Sequence, residues 1–138
     1  MRTRRFSKGQ SLVEFALVFP LFFFMVTGLL DLGRAVFAYT TMNTAVREGT
    51  RFAIVQFKDS PDSDTEAVVR SYFYDLKDFN DNTVITISHV GDADNPKINV
   101  HAIYTFEPVT PGMKQILSGG QTILIEAESE MFIAPIGK

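Results

Sequence analysis

An uncharged, strongly apolar run near the N-terminus limits the folds open to this chain. Residues Phe15 to Leu30, FALVFPLFFFMVTGLL, include five phenylalanines and no charge. As a helix this run rises about 24 Å, which is short of a hydrocarbon core of roughly 30 Å. Adding Gln10 to Glu14 gives about twenty-one residues, which span a bilayer provided that Glu14 can be accommodated. The run therefore predicts a membrane-spanning helix.

Charge is distributed unevenly on the two sides of this run. Arg2, Arg4, Arg5 and Lys8 are the only charges among the first eight residues, whereas the chain after Leu30 carries nine basic and fifteen acidic residues. Basic residues that flank an apolar segment stay in the cytoplasm. We therefore expect a single-pass membrane protein, with a cytoplasmic N-terminus and its acidic body on the other side of the membrane. Membrane lipid is an expected partner and nucleic acid is not, because the acidic body repels phosphate.

The composition argues against an enzyme. The 138 residues contain no cysteine, no tryptophan and two histidines, so thiolate metal sites and cysteine nucleophiles are excluded. Glu126, Glu128 and Glu130 alternate along one predicted strand, which is typical of a solvated outer face that discourages edge-to-edge aggregation. His89 and His101 are expected on adjacent strands, where they would come within reach of each other but lack a third zinc ligand. We expect no catalytic residue, no cofactor and no metal.

Three groups of acids supply oxygen atoms of the kind that calcium prefers. None has the spacing of a calcium-binding loop, and aspartate and asparagine are common in turns and helix caps, so we interpret them as turn and cap residues. The groups are Asp59/Asp62/Asp64, Asp75/Asp78/Asp81 and Asp92/Asp94/Asn95.

An acidic residue at the start of the apolar run needs an explanation. A secretory signal peptide would carry a small-x-small cleavage site after the run, yet the chain continues there as Asp31-Leu32-Gly33-Arg34 in helical rhythm. A plain transmembrane anchor accounts for the basic flank and the apolar length, but it leaves Glu14 as a cost of roughly 3 kcal/mol in lipid. A prepilin-type processing site gives the acid a function.

In this third interpretation a peptidase cuts after Gly9 on the cytoplasmic side, and Gln10 becomes the first residue of the mature chain. Gly9 suits such a site because a residue without a side chain lets the peptidase approach the backbone. Glu14, now the fifth residue, can pair with the new α-amino group of a neighbouring subunit, which offsets its desolvation and fixes the axial register. A simple anchor with an interfacial glutamate remains the alternative.

The residues of this N-terminal third also carry a resemblance. They are Gly9-Gln10, the stretch Val13 to Leu17, Pro20, Gly28, the stretch Asp31 to Arg34, and Ala45, Arg47, Gly49, Arg51 and Ala53. From Gly9 to Ala53 the chain resembles the TadE-like proteins, minor pilins or pseudopilins of the tight-adherence (Tad/Flp) type IV pilus system. The rest of the chain shows no family motif.

The resemblance implies cleavage by an aspartic prepilin peptidase at Gly9 and Gln10, and an assembly register set by Glu14 and Phe15. It also implies retention in the inner membrane until the chain joins an extracellular pilus for cell adhesion, secretion or DNA uptake, whose assembly is driven by a separate cytoplasmic ATPase. The expected partners are the prepilin peptidase, other pilin subunits packed helix to helix, and the pilus assembly platform. The length favours a minor subunit. An unprocessed inner-membrane scaffold or binding module is the alternative function.

Two further features shape the predicted helix. Pro20 removes one backbone hydrogen bond inside the apolar run and predicts a kink. Beyond the membrane, apolar and small residues at 3-4 spacing predict an amphipathic continuation to about Phe57, which covers either the chain's own sheet or partner helices. The residues of this face are Leu32, Ala35, Tyr39, Met42, Val46, Gly49 and Ala53.

The C-terminal body reads as a helix followed by strands. Asp64 to Phe79 predicts a second helix, which Asn80-Asp81-Asn82 ends. Thr83 to Val90 and Ile98 to Phe106 alternate in polarity around turn residues and predict a hairpin. Thr122 to Phe132 alternates again and adds a third strand.

These elements predict an α+β, pilin-like fold. A long N-terminal helix, first transmembrane and then amphipathic, packs on a small antiparallel sheet of three or more strands with a second helix. We expect a basic leader at 1–9, a transmembrane or filament-core helix at 10–30, its amphipathic continuation at 31–57 and an extracytoplasmic head at 58–138.

Overall fold

The structure is a computed structural model that describes residues 7–56, 62–73, 77–91 and 96–133. It is α+β: a long N-terminal helix packs on a three-stranded antiparallel sheet of order β1-β2-β3, with three shorter helices. The predicted fold class is confirmed. The elements are α1 (Ser7–Val55), α2 (Asp62–Ser71), α3 (Lys77–Asp81), β1 (Thr83–Val90), β2 (Lys97–Phe106), α4 (Met113–Ser118) and β3 (Ile123–Phe132).

The helix α1 has two halves with different surroundings. It contains 49 residues, which corresponds to a length of about 73 Å. The residues before Asp31 contribute nothing to the buried core, whereas from Ala38 onward one face is covered by the sheet and α2. The predicted end at about Phe57 lies outside the described residues. The amphipathic face therefore covers the chain's own core, as one of the two interpretations expected.

The buried face of α1 differs from the predicted one in its first two turns. Leu32 and Tyr39 were predicted to face the core, but both are exposed, and Asp31 and Ala38 are buried in their place. Beyond them the prediction holds. Ala38 lets the sheet approach more closely than tyrosine would, and Asp31 has polar partners in the head. The buried positions on this face are Asp31, Ala38, Met42, Ala45, Val46, Gly49, Thr50 and Ala53.

The sheet is centred on β2, whose alternate side chains are buried along its whole length. Five of them face the helices: Ile98, Val100, Ala102, Tyr104 and Phe106. The β1–β2 pairing confirms the predicted hairpin, although its turn at 92–95 lies outside the described residues. Each predicted strand agrees with the structure to within one residue at either end.

The predicted helix from Asp64 to Phe79 is wrong, because the chain forms two helices there. The helix α2 ends at Ser71, and the turn after it is closed by hydrogen bonds from the amide of Tyr72 to the carbonyl of Val69 and from Phe73 to Arg70. Phe73 and Phe79 are both buried and meet edge to face with centroids 4.7 Å apart. Residues six apart on one helix differ in direction by roughly 240°, so both rings can enter one core only if the helix breaks.

The helices α1 and α2 approach closely at Gly49. A Cβ at this position would collide with the side chain of Val69, which is fully buried in α2. Valine has a stiff, β-branched side chain and cannot swing aside easily. Gly49 is therefore a packing requirement within the chain.

Replacing Gly49 with alanine should destabilise the head by about 1–3 kcal/mol, because the added methyl group overpacks the contact with Val69. Gly33 is the matched control in the same helix, since a Cβ there meets no atom within 4 Å. Gly33→Ala should be neutral or gain up to ~1 kcal/mol from helix propensity. Thermal unfolding of the detergent-solubilised full chain measures both effects. A melting temperature for Gly49→Ala at or above that of the unsubstituted chain would contradict the close approach.

Candidate functional site

The first half of α1 exposes apolar side chains on every side. Among the described residues, α1 is the one helix long and apolar enough to cross a membrane, and none of its most apolar 18-residue window is buried. Leu12, for example, is 71% exposed. A core helix of a soluble protein would bury such side chains. The helix therefore fits a single-pass membrane protein.

Local contacts satisfy the polar groups of this apolar half. The hydroxyl of Thr27 donates to the carbonyls of Phe23 and Phe24, one turn back, at 3.0 and 3.1 Å. Such back-bonding leaves no free hydroxyl to face lipid. The helix is uninterrupted at Pro20, and the kink at this position stays a prediction.

The predicted processing and register residues lie together in the first turns of α1. Gly9, Gln10, Glu14 and Phe15 are all exposed. The side-chain amide of Gln10 donates to Glu14 Oε1 at 3.3 Å. The ring of Phe15 lies 5.3 Å from that of Phe19, measured between centroids. The structure thus groups these side chains at the end of the helix remote from the head, with the carboxylate and its amide donor on one face.

The two histidines are not brought together, so their predicted proximity is wrong. His89 pairs with Ile98 across the hairpin, which places it on the helix-facing side of the sheet, where it lies 3.1 Å from Asp62. His101 lies on the opposite face, 3.9 Å from Glu126. Side chains alternate between faces along a strand, and His101 lies three residues after Ile98, the cross-strand partner of His89, so the two histidines point to opposite faces.

The predicted outer row of glutamates is exposed on β3, and each carboxylate has a cross-strand neighbour on β2. Lys97 Nζ lies 2.7 Å from Glu130, and the amide of Asn99 donates to Glu128. Within the described part of the chain, no three His, Cys, Asp or Glu residues converge as a metal site would require. Several residues of the calcium candidates lie outside the described residues: Asp59, Asp75, Asp92, Asp94 and Asn95.

A buried carboxylate joins α1 to the loop after β2. Asp31 is 4% exposed, and the backbone amides of Val109 and Thr110 donate to its Oδ1 and Oδ2 at 3.0 and 2.8 Å. Arg34, almost one turn later, lies 3.3 Å from Asp31 Oδ1 and donates to the carbonyl of Glu107 at 3.5 Å. We call these five residues the exit clamp. The structural role of Asp31 and Arg34 was not predicted from the sequence.

The surroundings of Asp31 lower its pKa below the usual value. Burial is the largest single influence and acts in the opposite direction, because it disfavours the charged form. The Thr110 side chain, the amides of Val109 and Thr110 and the charge of Arg34 together outweigh burial. The Thr110 hydroxyl has no hydrogen-bond partner of normal geometry among the described residues, so we interpret its effect as that of a nearby dipole.

An open apolar groove lies beside the exit clamp. It has a volume of about 430 Å³ and lies between α1, at Leu29, Leu30 and Phe37, and the head, at Phe79 and Tyr104. The head and α1 thus pack less tightly here than further along the helix. Beside this groove, the hydrogen bonds of the exit clamp connect the head to α1.

The carboxylate of Asp31 should protect the amides of Val109 and Thr110 from hydrogen exchange. Asp31→Asn removes a charged acceptor and turns an amide donor toward a backbone N–H, so we expect a loss of about 1–3 kcal/mol of protection at neutral pH. Glu48→Gln is the control, because the pair of Glu48 with Arg51 is exposed at 3.6 Å and contributes little. Equal protection in Asp31→Asn and the unsubstituted chain would contradict the clamp.

The same protection should depend on pH with a defined sign. Because the pKa of Asp31 is lowered on folding, its stabilising contribution is complete above the unfolded pKa of about 3.9 and is lost as the pH falls through the folded value. Exchange of the two amides, corrected for its intrinsic pH dependence, should therefore accelerate only in acid. The Asp31→Asn variant should lack this transition, and a transition of unchanged size in it would refute the assignment.

Comparison with known proteins adds one finding. No curated protein and no solved structure matches the chain. A family model described as TadE-like protein matches residues 9–51, the segment that holds the apolar helix, Asp31 and Arg34 but none of the sheet. The predicted resemblance is thereby confirmed for this segment, which is similar to TadE-like proteins and, with its long apolar helix, fits a protein associated with the Tad pilus.

Proposed function

We propose that this chain is a structural, pilin-like subunit, a minor pilin or pseudopilin, of a Tad-type type IV pilus. The observation that carries the proposal is the division of α1 into an apolar half in which no described residue is buried and a half built into the head's core. Such a helix can pass from lipid into an apolar filament core without rearranging the head. The TadE-like match over residues 9–51 supports the same function.

Processing after Gly9 is part of this proposal. Residues 1–9 act as a basic leader held at the cytoplasmic face, and an aspartic prepilin peptidase releases a chain that begins with Gln10. Gly9 is exposed in α1, and beyond its chain neighbours and the adjacent helix backbone no atom of the described residues lies within 4 Å of where its Cβ would be. Glycine costs a helix about 1 kcal/mol relative to alanine, so local unwinding for cleavage is easier at Gly9 than it would be at an alanine.

The mature chain then has three parts. Residues 10–30 form the membrane and later filament-core helix, 31–57 continue it along the head, and 58–138 complete an extracytoplasmic head. Its partners are other pilin subunits, the pilus assembly platform and membrane lipid. The cross-strand pairing of the outer glutamates favours a non-catalytic surface over an acid–base site.

Glu14 sets the register of assembly in this proposal. In the single chain its carboxylate accepts a hydrogen bond from Gln10 at 3.3 Å, which reduces the cost of bringing the acid toward lipid. In a filament the same carboxylate pairs with the α-amino group of a neighbouring subunit. Phe15, the next residue, provides an aromatic contact, and Pro20, later in the apolar run, provides a weakened turn that lets the helix adjust to its neighbours.

Replacing Glu14 with alanine should leave membrane insertion, processing and head folding intact but reduce incorporation into filaments by roughly tenfold or more, because a charge-assisted bond contributes about 1.5–3 kcal/mol. The measurement is the ratio of subunit in sheared filaments to subunit in the membrane fraction.

Glu48→Ala is the matched control, since Glu48 lies on the same helix in the head region and forms an ion pair with an exposed arginine, Arg51. It should assemble normally. Normal incorporation of Glu14→Ala would refute the role of Glu14 in register, and absence of the unsubstituted chain from sheared filaments would refute the proposed function itself.

A further inference from the structure

The short helix α4 is well defined at both ends although the chain covers little of it. Gly112 precedes it with a φ of +78°, and Gly119 and Gly120 end it with amides that donate to the carbonyls of Gln115 and Lys114 at 3.1 and 3.2 Å. These positive φ angles favour glycine. None of its residues is buried. The exposed apolar side chains of this helix are therefore available to another surface.

Three large apolar side chains of this loop point away from the chain. Ile116 and Leu117 in α4 are 67% and 64% exposed, and Val109 ahead of it is 75% exposed. Val109 is exposed although its amide is fixed by Asp31 at 3.0 Å. We call Val109, Ile116 and Leu117 the apolar tip.

Two contacts fix the loop at the level where α1 leaves the membrane. The Met113 Cε atom lies 2.8 Å from the position of a Cβ on Gly28, and Gly28 is about 3 Å of helix rise before the end of the 10–30 segment. The exit clamp holds Val109 and Thr110 to Asp31, the next residue after that segment. The loop is thus docked on the last turn of the membrane-spanning helix.

The charge pattern matches a membrane surface. The head is acidic, yet no aspartate or glutamate occurs between Glu107 and Glu126, and the single charge in that interval is Lys114. Lysine beside apolar residues can keep its ammonium at the headgroups while its stem lies along apolar surface. An acidic surface would be repelled by anionic lipid at this depth.

We propose that the apolar tip inserts into the lipid interface beside α1, as a second membrane contact of the extracytoplasmic head. An interfacial element of this kind buries its apolar face about 5–10 Å into the boundary of headgroups and acyl chains. It would hold the head in a fixed tilt against the bilayer while the chain resides in the membrane. The inference depends on α1 spanning a membrane and not on assembly into a filament.

The absence of tryptophan from the chain allows a direct test with single-tryptophan variants of the full chain. Leu117→Trp reports on the apolar tip, and Leu21→Trp, in the middle of the apolar run, reports on insertion of α1. Val55→Trp is the exposed control, because Val55 is 82% exposed at the end of α1, about 37 Å of helix rise beyond Leu30. Each variant is reconstituted into phosphatidylcholine–phosphatidylglycerol vesicles with or without lipid brominated near the headgroup.

The tryptophan of Leu117→Trp should emit at a shorter wavelength than that of Val55→Trp. The brominated lipid should also quench its fluorescence at least roughly twofold more strongly than that of Val55→Trp. If Leu21→Trp is quenched but Leu117→Trp matches Val55→Trp, the inference is wrong. It is also wrong if the emission of Leu117→Trp is blue-shifted without quenching, or loses its blue shift when the protein is diluted to one chain per vesicle, because another protein surface then covers the tip. The vesicles contain no other pilus component, so these results leave the proposed function to its own test.

Discussion

The constraint on which this structure depends is that one continuous helix must serve two environments. Up to Leu30 its side chains have almost no partner in the chain, and from Ala38 onward one face carries the core of the head. A helix satisfies its own backbone hydrogen bonds in both settings, so only the side chains have to change. The change takes place over about two turns, and Asp31 lies at its start with a carboxylate that binds the head's backbone.

That placement explains why a buried acid is tolerated at the edge of an apolar segment. A carboxylate that accepts two backbone hydrogen bonds and faces a guanidinium has lost water but gained fixed donors. The same bonds hold the loop after β2 against α1, where the apolar packing is open enough to leave a groove. The short helix α4 then follows from this attachment, because Met113 reaches back to Gly28 on the apolar helix. Head, clamp and membrane segment form one connected series of contacts.

Local patterns were sufficient to predict most of the elements. Alternation along β1, β2 and β3 gave their positions, because each strand has one covered face and one exposed face. The predictions were wrong where contacts between distant parts of the chain determine which side chains are buried and where a helix ends. Leu32 and Tyr39 are apolar enough for a core but lie on the exposed side, and the helix predicted through Phe73 and Phe79 breaks because both rings enter the same core. The partners of Asp31 come from 78 and 79 residues later in the chain, and no local spacing identifies them.

The site residues Gly9, Gln10 and Glu14 were predicted from their place between the basic N-terminus and the apolar run and from the family resemblance. The structure adds their exposure and the hydrogen bond from Gln10 to Glu14.

The central claim is that this chain is a processed, pilin-like membrane subunit, and the intact mass of the membrane-extracted protein, with and without prepilin peptidase, tests it most directly. The account predicts a chain that begins at Gln10 only when the peptidase is present. Mass is the suitable readout because an N-terminal glutamine can cyclise with loss of ammonia. The cyclised residue blocks N-terminal sequencing, but the mass of the chain still identifies the cleavage position. A chain that still begins at Met1 in the presence of active peptidase would contradict the account and favour an unprocessed inner-membrane scaffold.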